Sequence, residues 1–130
     1  MSLSQHESSR AMSQGFPARF RIRRGADFQR VYRRRLIASD GCLVLYGCEN
    51  GLDFPRLGLS VSRKVGGAVQ RNRWKRLLRE AFRLGRHELP AGLDLVVVPR
   101  AGVVPELVQL AESLRSLSAH LVRKARRRAT

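Results

Sequence analysis

A chain of 130 residues, 43% of them apolar, fits one compact domain with a single core and tails. Its 26 Lys+Arg against 10 Asp+Glu leave a net charge of +16, which points to a nucleic-acid partner and away from an acidic membrane surface. Lys occurs only at Lys64, Lys75 and Lys124, so the basic character is carried by Arg, the better side chain for bidentate phosphate contacts and for stacking on bases, although a high-GC genome would enrich it too.

Residues 1–15 are rich in Ser and Gln and lack an apolar signal-peptide core, so a disordered N-terminal extension is expected. Phe16 to Arg24 reads as a basic extended arm. Residues 26–34 read as a short helix in which Phe28, Val31 and Tyr32 fall at i, i+3 and i+4 and make one aromatic–apolar face. Residues 41–48 read as a strand. Cys42 and Cys48, six apart on it, point to the same face and are expected to be reduced, core-facing thiols of a cytoplasmic protein. A turn over 49–55 precedes Arg56 to Ser62, whose period-two alternation predicts a hairpin partner for that strand.

After the loop Lys64 to Gly67, a helix is predicted over 68–85. Trp74, Leu77, Leu78, Ala81 and Phe82 share its apolar side. Asn72, Lys75, Arg76, Arg79, Arg83 and Arg86 share the other, with Arg71 and Arg73 at the edges. A single acid, Glu80, interrupts seven basic residues between positions 71 and 86. A solvated face would mix signs, because like charges at i,i+4 repel; this face suits a polyanion. Leu93 to Val98 is a mostly apolar run closed by Pro99, hence an interior strand. Pro105 and Glu106 open a last helix, where Leu107, Leu110, Leu114, Leu117 and Leu121 make a stripe that faces a sheet; two heptads are too few for a zipper. Residues 126–130 form a basic tail. The order helix, strand, strand, helix, strand, helix predicts an α+β fold, a small sheet packed with helices in a two-layer sandwich.

Catalytic constellations are missing from the pattern. His6, His87 and His120 are scattered, no Ser or Cys has a nucleophile-elbow context, and the acids are isolated, so no carboxylate cluster offers itself for two-metal chemistry. Asp27, Asp40 and Asp53 read as turn or cap acids. Binding chemistry is better represented. Phe16, Phe20, Phe28, Tyr32 and Tyr46 are interleaved with Arg19, Arg21, Arg23, Arg24, Arg30, Arg33, Arg34 and Arg35. Aromatic faces that stack unpaired bases, beside cations that track the backbone, hold single-stranded nucleic acid. Phe28 and Tyr32 would serve equally as the core side of a small helix.

The chain resembles the protein component of bacterial ribonuclease P over about residues 19–125. The match rests on Phe28-Gln29-Arg30-Val31-Tyr32, on Leu57 to Gly66, and on Arg71-Asn72-Arg73 continuing through Lys75 to Phe82. Trp74 departs from it, standing where an aliphatic residue is expected, and its phase puts it in the core. The resemblance implies a ribosomal-protein-like two-layer sandwich with a left-handed βαβ crossover, an exception to the usual hand, and a domain over 16–125. It implies an RNA-binding subunit of an endoribonuclease holoenzyme, in which a partner RNA removes the 5′ leader of precursor tRNA and holds the catalytic magnesium. This chain would itself bind no cofactor and need neither a protein partner nor a membrane. It would contact the RNA subunit and the precursor's single-stranded leader, raising substrate affinity and easing the metal requirement. By position, Phe28, Tyr32, Tyr46, Ser60 and Ser62 would line the leader cleft. Arg63, Lys64, Arg71, Asn72, Arg73, Lys75, Arg76, Arg79 and Arg83 would face RNA. The competing readings are a structural RNA-binding protein of ribosomal type and, less in keeping with the isolated acids, a free-standing nuclease.

Overall fold

A computed structural model describes residues 16–129; the N-terminal extension, where disorder is expected, lies outside them. Three α-helices, α1 (Gly25–Arg34), α2 (Ala68–Gly85) and α3 (Leu107–Ala129), pack on a four-stranded sheet made of β1 (Leu36–Ser39), β2 (Leu43–Glu49), β3 (Arg56–Leu59) and β4 (Leu93–Pro99). The sheet order is β1-β2-β4-β3, with β1, β2 and β4 antiparallel and β3 parallel to β4. The predicted α+β sandwich is therefore present, and α2 is the crossover between two parallel neighbours.

The expected hairpin of β2 with β3 does not form. β4 lies between them, because its run Leu95, Val96, Val97 is buried on both faces and such a strand belongs in the middle of a sheet. β3 ends at Leu59, though the Ser60 amide still donates to the Val97 carbonyl at 3.0 Å. The hairpin that does form joins β2 to β1, a strand too short for its alternation to register in the sequence. Asp40 builds its turn: one carboxylate oxygen accepts the Cys42 and Leu43 amides at 2.8 and 2.9 Å. Burial works against that charge, but the Leu43 amide, the Ser113 hydroxyl, the Cys42 amide and nearby Arg100 hold the Asp40 pKa below its ordinary value.

The main core lies between the sheet and the helices α2 and α3. Trp74, Leu78, Ala81 and Phe82 come from α2, and Leu110, Leu114, Leu117 and Leu121 from α3, so the leucine stripe faces the core as its spacing requires. Each large buried side chain contributes about 1.5–3 kcal/mol. The arm is no free arm: Phe16, Phe20 and Ile22 are buried, and the Ile22 amide donates to the Leu57 carbonyl at 2.9 Å along the outer edge of β3. Phe16 and Phe20 meet Phe82 and Phe54 edge-on at 5.2 and 5.3 Å, which makes them core residues and removes them from the stacking set. Both cysteines are free and buried, but not on one face. Cys42 sits in the β1–β2 turn with the main core, whereas Cys48 joins Ile22, Val31 and Val96 beneath α1.

α3 begins at Leu107, just after Pro105 and Glu106; the Glu106 carbonyl accepts the Leu110 amide at 2.9 Å. The basic end is its last turn, not a separate tail. Lys124 donates to the Ile37 carbonyl, and Arg128 donates to the carbonyls of Arg34 and Arg35 at 3.2 and 2.7 Å, satisfying acceptors that the end of α1 leaves open.

One buried charge locks α1 to the opposite sheet face. Asp94, fully buried in β4, accepts a bidentate pair from Arg56 of β3 at 2.8 and 2.6 Å, the Asn50 amide at 2.9 Å, and Arg30 of α1. Arg30 also donates to the Glu49 carbonyl and the Cys48 sulfur, each at 3.0 Å. Burial disfavours the Asp94 carboxylate, yet these hydrogen bonds and the two guanidinium charges outweigh it, so its pKa lies below the ordinary value. Replacing Asp94 with Asn strands two arginines and should destabilise the fold by about 3 kcal/mol; their partly wet side chains hold the loss at the low end for a broken buried pair. Because the folded pKa is the lower one, the stabilisation is complete above the unfolded value of about 3.9 and disappears as pH falls through the folded one. Urea titrations across this acid range should show the wild type losing stability more steeply than Asp94→Asn; equal slopes would mean that Asp94 is not the linked group.

Candidate nucleic-acid interface

The loop before α2 is shaped to start it with an exposed positive end. Ser62 accepts the Lys64 amide at 3.3 Å and fixes the 3₁₀ turn Arg63–Val65. Gly66 follows at φ 137°, with the Gln70 side chain 2.8 Å from where a Cβ would stand, so no other residue fits there without movement. Gly67 then caps α2 without a side-chain bond, and its first turn holds no acid. Free amides, the helix dipole and the following cations all favour an anion there.

The buried anchor of α2 turns the opposite face outward. Asn72, Arg73 and Arg76 are exposed, and Arg71, Lys75 and Arg79 are half-buried. Among the described residues, none of these five cations makes an ion pair. Arg83 differs, because it is tied to Glu80 one turn back, with Nε at 3.3 Å. Lys75 and Arg79 reach a groove of about 230 Å³ whose other walls include Arg21, Arg23 and Phe28. Four cations thus converge there. The Arg21 pKa is lowered, first by burial and then by the charges of Arg79 and Arg23. The Nε atoms of Arg21 and Arg71 are buried without a hydrogen-bond partner among the described residues. Leaving such a donor unmet costs about 1–3 kcal/mol, so these two guanidiniums are held in place at a cost to the fold.

Phe28 connects this groove to the aromatic surface. Gly58 of β3 makes the connection possible, since a Cβ there would stand within 2.9 Å of the Phe28 ring. One turn on, Tyr32 is 37% exposed and meets Tyr46 of β2 edge-on at 4.9 Å. By strand alternation and register, Val44, Val98 and Ile37 continue the Tyr46 face beyond α1, and all three keep exposed surface. Ser60 lies half-buried just past β3, and Ser62, Arg63 and Lys64 are exposed at the turn into α2. Of the helix α1 arginines interleaved with the aromatics, two have structural partners: Arg30 holds Asp94, and Arg34 pairs with Glu49 at 3.0 and 3.1 Å. The hydrogen bond to Arg34 is the largest cause of a lowered Glu49 pKa. Arg21 and Arg23 are the groove residues absent from the sequence-derived site; their alternation with the apolar Phe20 and Ile22 was the available signal. Among the described residues, no group of three His, Cys, Asp or Glu side chains is placed to hold a metal ion, and no helix is long and apolar enough to cross a membrane.

A family model described as Ribonuclease P matches residues 16–125. The ribonuclease P protein component of Alkaliphilus oremlandii is 42% identical over 80 residues, which span 62% of this chain and 70% of that protein. The corresponding protein of Thermotoga petrophila is 37% identical over 99 residues, 76% of this chain and 85% of the other. In solved structures, the RNase P protein of Thermotoga maritima superposes with a TM-score of 0.70 at 32% identity, covering 77% of this chain and 96% of that one. That of Staphylococcus aureus gives 0.66 at 36% identity, with coverage of 82% and 94%.

The groove makes a quantitative expectation. Lys75→Gln and Arg79→Gln should each reduce the salt dependence of binding to a single-stranded oligoribonucleotide by about one unit of slope. Arg83→Gln should change it less, because Glu80 already offsets that charge. Affinities measured at several salt concentrations decide the point, and unreduced slopes in the first two variants would remove this face of α2 from the RNA.

Proposed function

The chain belongs to the ribonuclease P protein family, which makes it a subunit of an endoribonuclease of tRNA processing, and we propose that it works there by binding RNA on two adjoining surfaces. The exposed start of α2, with Arg63, Lys64, Arg71, Asn72, Arg73, Lys75, Arg76 and Arg79, takes the phosphates of the RNA subunit. The aromatic strip of Phe28, Tyr32 and Tyr46, extended by Ser60 and Ser62, takes the single-stranded 5′ leader of precursor tRNA. Phe28 carries this reading, because it lines the four-cation groove and packs on the same small cluster as Tyr46, so one strand could lay its phosphates on Lys75 and Arg79 and its bases on the rings. Bond cleavage and its magnesium ions belong to the RNA subunit in this scheme. The protein supplies orientation, charge neutralisation and affinity, in the cytoplasm where precursor tRNA is made.

Two measurements test it. At low magnesium, a bacterial ribonuclease P RNA should cleave precursor tRNA much faster with this protein than without it, and the protein alone should not cleave. No enhancement with several such RNAs would leave a structural RNA-binding role; cleavage by RNA-free protein would mean a nuclease. Tyr32→Ala, at an exposed ring, should weaken binding of leader-bearing precursor by about 1–3 kcal/mol, the scale of one base stack, and leave mature tRNA unaffected. Equal losses for both would place Tyr32 outside a leader site.

A further inference from the structure

A second groove, beside the first and outside the surfaces assigned above, has the parts of a nucleotide site. It holds about 510 Å³ and opens where α2 ends, between the arm and the loop before β3. Its distinguishing feature is Phe20, a buried ring covered by two guanidiniums, Arg19 at 4.9 Å and Arg86 at 4.5 Å from the ring centre. The ring holds both cations in place. Among the described residues, neither is in an ion pair, and both line the cavity, Arg19 exposed and Arg86 half-buried. A planar guanidinium fixed from behind can stack on a base or bind a phosphate in bidentate fashion.

The remaining walls favour a nucleotide over a bare anion. Phe54, Pro55, Leu89 and Ala91 provide apolar surface for a base. Asp53 lines the same groove, and its carboxylate would repel phosphate alone but accept from a ribose hydroxyl or an exocyclic amine. His87 adds a ring nitrogen at the rim. The site also lies in line with the first groove. Arg86 caps the C-terminal end of α2, seven residues beyond Arg79, about 10 Å along the helix axis, and the arm lends Arg19 and Phe20 to one groove and Arg21 and Arg23 to the other.

We propose that the groove formed by Arg19, Phe20, Arg86 and Asp53 binds one unpaired nucleotide of an RNA strand that also occupies the Lys75–Arg79 groove. The proposal does not depend on which RNA lies on α2 or in the aromatic cleft. The test is a titration of the isotope-labelled full chain, followed by backbone amide signals, with AMP, with inorganic phosphate and with a short single-stranded oligoadenylate. AMP should move the signals of His87, Leu89 and Ala91 at lower concentration than phosphate does. Oligoadenylate should move them at lower concentration still, together with those of Lys75 and Arg79. Arg86→Gln should weaken the AMP response roughly tenfold, equivalent to about 1.4 kcal/mol, and leave the folded spectrum intact, and Asp53→Asn should narrow the preference for AMP over phosphate. Phosphate acting as strongly as AMP would reduce the groove to a simple anion site. Oligoadenylate responses confined to Lys75 and Arg79, or AMP binding more tightly than the oligomer, would overturn the assignment to an RNA strand.

Discussion

Asp94 is the constraint on which the geometry depends. A fully buried carboxylate in the central strand is costly unless it is surrounded by donors, and its donors come from three different elements. Arg56 reaches it from β3, Asn50 from the β2–β3 turn and Arg30 from α1. Among the described residues, the apolar cluster beneath α1 is small, Ile22, Val31, Cys48 and Val96 with Phe28 and Tyr46, and apolar packing is non-directional. The directional bonds of Arg30 to Asp94, Cys48 and Glu49 define the position instead, and with it where Phe28 and Tyr32 stand over the sheet.

The few acids sort the many arginines. Glu49, Glu80, Glu112 and Asp94 hold Arg34, Arg83, Arg115, Arg30 and Arg56 in place. The cations that converge on the two grooves have no such partners among the described residues, and Arg21 sits half-buried beside Arg79 and Arg23 despite the repulsion. A protein selected only for stability would have no reason to keep like charges together there. Their grouping suits a polyanion that would complete them, so local electrostatics separates the arginines with structural partners from those left as candidates for binding, where composition alone could not.

The helical parts were legible because helices write their packing into local sequence. The 68–85 helix, its Trp74–Phe82 anchor and the Leu110–Leu121 stripe follow from spacing alone. Strand pairing is written less locally. β3 alternates like a hairpin partner, but which neighbour it takes is decided by β4, nearly forty residues away in sequence and apolar on both faces. β1 was missed for its length, although Asp40-Gly41 between two apolar runs is a turn signal that would have found it. The role of Asp94 is not written in its own strand, since its partners Arg30, Asn50 and Arg56 are distant in sequence. The candidate site divides the same way. The face of α2 is a periodic pattern, whereas its junction with Arg21, Arg23 and Phe28 exists only once the arm has been laid along β3.

That junction limits what the surface can recognise. Cations that track phosphates and rings that stack on bases are both indifferent to base identity, since every nucleotide carries a charge and every base a π-face. What they do distinguish is a single strand from a duplex, because a paired base has no free face to offer. Gly58 sharpens this selectivity by letting Phe28 sit low against β3, so that the aromatic strip and the cation groove form one path along which only a flexible strand could place phosphates and bases together. A surface of this kind would accept single strands of many sequences and still reject the faces of a double-stranded stem.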